Sequence, residues 1–289
     1  MSSPITIALA NQKGGCGKTT TTVSIAAGLA RAGKSVVVAD ADPQCNATDS
    51  FGLDRDTLAA EGRFTIADAY LAERTLAEIA VGLDERFDRR LRVVPGHRGL
   101  GTVPQHLEAE LQTQIARGES SDLDAGDVRD GHRRRLRVAA ESLAGETDFL
   151  IIDTPPDLGF LMTTALIAAD WFVIPVFPSG YDLKGLETLM KTTEKVRAKF
   201  NPGLRLLGVA LGNFDTSARL DTDILQMIRR KFGEDLVFNT VITRSVKHRE
   251  APLYGRSIFE HASGLQAARQ FEDLSREIVA RTSAGAAHA

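Results

Sequence analysis

Residues 11–20 read NQKGGCGKTT. The apolar run ITIALA (5–10) leads into them, and a helix-compatible stretch from Thr19 to Ala32 follows. Strand, glycine-rich turn and helix in that order are what a phosphate-binding loop of the GxxxxGK[ST] kind needs. Its glycines let backbone N–H groups face phosphate oxygens at a helix N-terminus. Gly14, Gly15 and Gly17 supply that open backbone, with Cys16 at a variable position between them and Thr20 continuing into the helix. Lys18 is expected to neutralise the β- and γ-phosphates, and the Thr19 hydroxyl to ligate Mg²⁺. The stretch departs from the pattern twice: Gln12 stands where the first glycine belongs, and Lys13 adds a second lysine.

Outward from this loop, short apolar runs alternate with helix-length stretches. The runs are SVVVAD (35–40), LRVVP (91–95), FLIID (149–153), WFVIPV (171–176), LRLLGVAL (204–211) and LVFNTVI (236–242). Continuous runs of this kind suit strands buried on both faces. Between them, residues 183–200, 218–232 and 265–280 carry helical spacing. The alternation predicts an α/β fold, a doubly wound and mostly parallel sheet with helices on both faces, whose ligands sit beyond the carboxyl ends of the strands. We expect one domain over residues 1–281. Residues 117–135 (RGESSDLDAGDVRDGHRRR) read as a solvated loop or partly disordered insertion, with a basic strip on Arg133, Arg134 and Arg135 as the alternative. Residues 282–289 read as a disordered tail.

Carboxylates stand where such a loop needs them. FLIID ends in Asp153, the position of a metal-supporting aspartate. VVVAD continues into DADPQCN, placing Asp40 and Asp42 at the end of a second strand. If that strand runs parallel beside the first, both lie next to the loop and can orient water or support the metal.

Composition narrows the partners. Hydrophobic residues make up 43% and charged residues 25%, and 35 basic against 38 acidic residues leave a formal charge of -3. A nucleic-acid surface would therefore have to be local. Cys16 and Cys45 are too few for a disulfide framework or a cysteine metal site, and fit a reducing, cytoplasmic setting. The six histidines show no ligand spacing.

Together QKGGCGKTTTTV (12–23), VVVADADPQCNAT (36–48) and FLIIDTPPDLG (149–159) resemble the ParA family of partitioning ATPases, the deviant Walker A class that also contains MinD. FVIPVFPSGYDLKGLETL (172–189) and TVITRSVKHREAPLYGRSIFEH (240–261) extend the resemblance over residues 4–280, apart from about 96–145. The resemblance implies an ATP- and Mg²⁺-dependent ATPase that forms a homodimer around its nucleotides and binds non-specific DNA when ATP is present. It implies a ParB-like partner that stimulates hydrolysis, and a cytoplasmic, nucleoid-associated location. Lys13 is similar to the family's signature lysine, which reaches the phosphates of the other subunit. Asp42 would be the residue on which hydrolysis depends, Asp40 and Asp153 would support the metal, and the base would lie near Asn213 and the loop after Ile242. Two positions depart from the family: Cys45, where glycine is frequent, and Asp157, where serine is usual.

Residues 216–256 contain eight basic and five acidic side chains, a local excess on an acidic chain. Within it, the resemblance implies that Arg219 and Arg244 contact DNA, with Lys247 and Arg249 beside them. The alternative readings are ParA-like positioning of a protein cargo and a MinD-like membrane cycle. The latter needs a basic amphipathic C-terminal helix with bulky apolar groups. GLQAARQFEDLSREIVARTS (264–283) carries Glu272, Asp273 and Glu277 and reads instead as a packed helix, so no membrane partner is expected. A metabolic amide-forming P-loop enzyme is a further alternative, opposed by the ParA-like stretches after residue 204.

Overall fold

A computed structural model describes residues 2–286 apart from 84, 85, 120, 122, 123 and 181. The apolar runs become the strands of one sheet: β1 (Ile5–Leu9), β2 (Val36–Asp40), β3 (Val81–Gly82), β4 (Leu91–Val94), β5 (Phe149–Asp153), β6 (Trp171–Val176) and β7 (Arg205–Leu211). Their spatial order is β3-β4-β2-β5-β1-β6-β7, parallel throughout except for the short β3 against β4. β2 and β5 are buried at every position, which explains why they read as unbroken apolar runs rather than as alternation.

Each face of the sheet has its own helical cover. α1 (Lys18–Arg31), the short α2 (Asn46–Ser50), α12 (Ile258–His261) and α13 (Gln266–Ala286) cover Ile7, Leu9, Val36, Val38 and Ile151. On the other face, Ala8, Val37, Ala39, Leu150 and Ile152 lie under α4 (Ile66–Tyr70), α5 (Leu76–Ile79), α6 (Val103–Ala116), α7 (Ala125–Ala140), α8 (Phe160–Ala168), α9 (Leu183–Lys199) and α10 (Arg219–Phe232). Two further short helices, α3 (Arg55–Ala60) and α11 (Lys247–Leu253), stand on loops at the carboxyl side of the strands.

Four expectations need correction. β1 and β2 are not neighbours, because β5 lies between them. Residues 236–242 do not form a regular strand. They follow β7 through isolated bridges, Val209 to Val237 and, just beyond, Phe214 to Thr243. The ladder breaks because Glu277 of α13 accepts the N–H groups of Asn239 (2.9 Å) and Thr240 (3.1 Å), which a neighbouring strand would otherwise have used. The described part of 117–135 is largely helical: α6 ends at Ala116, and α7 runs on from Ala125 through the arginines. α7 looks polar because it buries a narrow stripe, with His132, Leu136, Ala139 and Ala140 along it. Finally, the described part of the tail is helical as far as Ala286, with Thr282 buried against the body, and residues 287–289 lie outside the described residues.

The arginines of the alternative basic strip lie along α7. Arg133 lies over the Phe160 ring and Arg134 over Phe200, while Arg135 donates to the Tyr70 carbonyl at 3.2 Å. These arginines cover aromatic and backbone surface.

Candidate functional site

Strand register determines the site. Leu9 of β1 pairs with Asp153 of β5, and Asp153 with Asp40 of β2, so the phosphate loop and both carboxylates leave the sheet at one level. Asp153 is next to the loop and Asp40 one strand further out.

The loop is built for an anion. Gly15 and Gly17 have φ of +69° and +86°, a left-handed conformation that glycine adopts without strain. Gln12 is not among the residues of positive φ, so the glycine missing from the motif is one the backbone does not need. Gly17 is the N-cap of α1 and offers no side-chain acceptor, which leaves the first-turn N–H groups for a ligand. Lys18 is buried, and its Nζ donates to the carbonyls of Asn11 and Lys13, both at 3.2 Å. The ammonium is thus held inside the loop by its own backbone. Asn11, which sequence reasoning missed, fixes the loop's entry. Its Nδ2 donates to the Pro175 carbonyl of β6 (2.7 Å), and its Oδ1 accepts from the Lys13 N–H (3.0 Å).

Lys13 is exposed and lines a small pocket with Cys16, Phe177 and Asp182. Cys16 is buried, with its thiol donating to the Lys13 carbonyl at 3.1 Å. Burial pushes that thiol up, against the pull of Lys18, so it is no activated thiolate.

The carboxylates divide their work. Asp153 is fully buried, and its two oxygens accept from the hydroxyls of Thr19 (2.7 Å) and Thr22 (3.0 Å). Asp40, also fully buried, is turned to α2. It accepts from the N–H (2.8 Å) and hydroxyl (2.7 Å) of Thr48, whose oxygen in turn accepts from the Gly96 N–H at 2.9 Å. Thr48 was also missed, although it lies in the quoted 36–48 motif. Burial, and next the Asp153 charge, raises the Asp40 carboxyl well above the ordinary carboxylate range. Burial raises Asp153 too, against the threonine hydroxyls. Two buried acids in adjacent register suit a hard cation.

Among the described residues no group of three or more His, Cys, Asp or Glu side chains is placed to hold a metal ion. That fits Mg²⁺, which keeps water and ligand oxygens around it rather than an all-protein cage. Thr19 and Asp153 fit that role directly. Asp40 is engaged by Thr48 and supports the arrangement from behind. Asp42, 6% exposed, accepts from the Gln44 N–H at 2.9 Å and is close enough to Asp153 to raise it further. Cys45 has φ +56°, a physical reason for glycine at that position in other chains. Asp157 is exposed and accepts from the Gly159 N–H (2.7 Å) in the loop before α8.

A cavity of about 420 Å³ opens beside the start of α1. Thr20, Phe177, Asn213, Arg244, His248 and Arg249 are among its lining residues, so Asn213 and the loop after Ile242 share one space with the first turns of α1. Asn213 has φ +51°, and the chain leaving it pairs with residues after Ile242: Phe214 N–H donates to the Ile242 carbonyl (3.0 Å) and Arg244 N–H to that of Phe214 (2.9 Å).

The expected DNA-facing residues differ in exposure and partners. Arg219 opens α10 with its side chain 95% exposed, and lies 3.9 Å from Asp223. Arg244 is 60% exposed and lies 3.9 Å from Asp215. Arg249 is exposed. Lys247 differs: its Nζ is 2.7 Å from Glu250, so its charge is locally compensated.

A family model for an AAA domain matches residues 5–206. The chain is 36% identical over 276 residues to the chromosome-partitioning ATPase Soj of Thermus thermophilus, covering 95% of both chains. The chromosome partitioning protein ParA of Myxococcus xanthus is 34% identical over 275 residues, with 95% of this chain and 88% of that one covered. The chain belongs to the ParA/Soj family. Among solved structures, a cobyrinic acid a,c-diamide synthase from Mycobacterium smegmatis with bound ATP analogue and magnesium superimposes with a TM-score of 0.76. It is 26% identical and covers 98% of this chain and 97% of its own. That name falls in the amide-forming class, whereas the two relatives of higher identity are partitioning proteins. As a ParA/Soj-family ATPase, this chain carries the family's doubly wound sheet with its phosphate loop between β1 and α1. Among the described residues no helix is long and apolar enough to cross a membrane.

Proposed function

We propose that this ParA/Soj-family protein is a Mg²⁺-dependent ATP hydrolase whose ATP-bound form is a homodimer that binds DNA without sequence preference. With a ParB-like partner stimulating hydrolysis, it would position a plasmid, chromosome or other cargo. The observation that carries this reading is the loop itself. A buried Lys18 is held by two backbone carbonyls, and Thr19 is held by Asp153, at the uncapped N-terminus of α1. Phosphate oxygens offer Lys18 stronger, charge-assisted partners than the carbonyls it now uses.

Bound Mg²⁺ supplies charge neutralisation at the β- and γ-phosphates. The chain's own residues do the rest. The α1 N–H groups and Lys18 orient the phosphates, Asp153 keeps the Thr19 hydroxyl in position, and Thr48 keeps Asp40 turned away. Asp42 orients the attacking water at the edge of the loop. The exposed Lys13 would reach a second copy's phosphates, where a cation offsets the repulsion of two facing nucleotides. Dimerisation then depends on ATP. The exposed Arg219, Arg244 and Arg249 supply a phosphate-backbone surface whose weak contacts are doubled in the dimer.

The test is steady-state turnover with ATP and Mg²⁺, alone and with non-specific duplex DNA and the candidate partner. Slow turnover that rises with both is expected. ATP binding with no turnover under any of these conditions would make the protein a binding module instead.

A further inference from the structure

Phe177 follows β6 and is half-buried, although its neighbours Val176 and Pro178 are buried. One edge of its ring is wedged between two distant glycines. A Cβ on Gly17 of the phosphate loop would fall 2.5 Å from the ring's Cε1 and Cζ, and one on Gly212 after β7 would fall 2.7 Å from Cε1. Neither site can carry a larger residue without moving the ring, so the two glycines form a notch that fixes it. The ring's remaining surface lines the 420 Å³ cavity together with Thr20 and Asn213. Phe177 thus touches the phosphate loop on one side, and the residue preceding Asn213 on another, from within the space that joins them.

The ring is clamped at its edge and left partly open toward a cavity of the size small ligands occupy. We infer that Phe177 is the surface on which the base of the bound nucleotide rests, and so a specificity-determining residue that separates nucleotides from bare polyphosphates. The inference rests on reading the loop as a nucleotide site and adds the residue that recognises the base. Because the clamp orients the ring before the ligand arrives, contact with the base costs little ordering.

The experiment compares affinity for ATP and for inorganic tripolyphosphate, both with Mg²⁺, by calorimetry on the full chain. Phe177→Leu keeps an apolar group of similar volume, and Gly212→Ala pushes a methyl group into the ring's edge. Each is expected to lower ATP affinity about tenfold, the scale of losing one base–aromatic contact. Tripolyphosphate affinity should stay within about twofold of wild type on the same scale. Unchanged ATP affinity in Phe177→Leu would overturn the inference. So would an equal fall for both ligands, since the ring would then merely prop Gly17. A wild-type chain that binds neither ligand would overturn the nucleotide reading itself, a different outcome from either.

Discussion

At the phosphate loop, the atoms that matter come from one short stretch and from strand ends locked in register: Lys18 bonds to carbonyls of Asn11 and Lys13, and Thr19 to Asp153. At the other side of the cavity, the wall is assembled from segments far apart in sequence. Asn213 lies beside the pairing of Phe214 with Ile242 and Arg244, and α13 contributes Phe271 and Leu274. The first region is coded locally by glycines and a lysine. The second exists only because tertiary contacts hold irregular chain in place. In our proposal chemistry concentrates in the first, and recognition of base and of DNA in the second.

If that division is right, substitutions in the two regions should fail in different assays. The largest effect is expected from Asp42→Ala, which should lower turnover by about 10²–10⁴-fold while leaving ATP binding intact. Retained turnover, measured as phosphate release, would break the division at its chemical end. Arg219→Glu combined with Arg244→Glu should reduce DNA affinity at least about tenfold at low salt and flatten its salt dependence. A fluorescence anisotropy titration across salt concentrations reads the change, and Arg219→Glu alone, outside the cavity lining, should leave ATP turnover without DNA unaffected.

Gly17→Ala should destabilise the fold by roughly 1–3 kcal/mol, by forcing alanine into φ +86° and a methyl group against Phe177. It should weaken ATP and tripolyphosphate alike, which contrasts with the base-side variants; thermal melts and calorimetry measure both.

The smallest effect belongs to Glu277→Gln. Burial alone would raise this carboxyl, but the Asn239 and Thr240 N–H groups and Arg281 hold it below the usual range. A carboxyl lowered in the folded state contributes stability that is present above its unfolded pKa and lost as pH falls through the folded value. The variant should therefore lose about 1 kcal/mol near neutral pH. The gap from wild type should close in acid, as denaturant melts at two pH values would show.

The same contrast explains what could be read from the sequence. The parallel sheet, the loop and Asp153 were legible because each is a local pattern: an apolar run, a glycine spacing, a charge ending a strand. Gln12 was puzzling only until the backbone showed that its position has no positive φ. The place of β5 between β1 and β2, and Thr48 as the partner of Asp40, are tertiary facts that no local pattern carries. Residues 236–242 read as a strand because their apolar pattern is strand-like, and nothing local reveals that Glu277 diverts their N–H groups. α7 was misread because its arginines are committed to Phe160, Phe200 and Tyr70, partners remote in sequence. Phe177 carried no signal, since its role depends on two glycines on other segments.

The central claim is that one loop serves two nucleotides, with Lys18 acting on its own and Lys13 on a neighbour's. Sedimentation velocity of wild type, Lys13→Ala and Lys18→Ala, with and without ATP and Mg²⁺, tests it most directly. Wild type should become dimeric with ATP, Lys18→Ala should lose ATP binding, and Lys13→Ala should bind ATP yet stay monomeric. ATP-dependent dimers of Lys13→Ala at wild-type concentrations would contradict the claim.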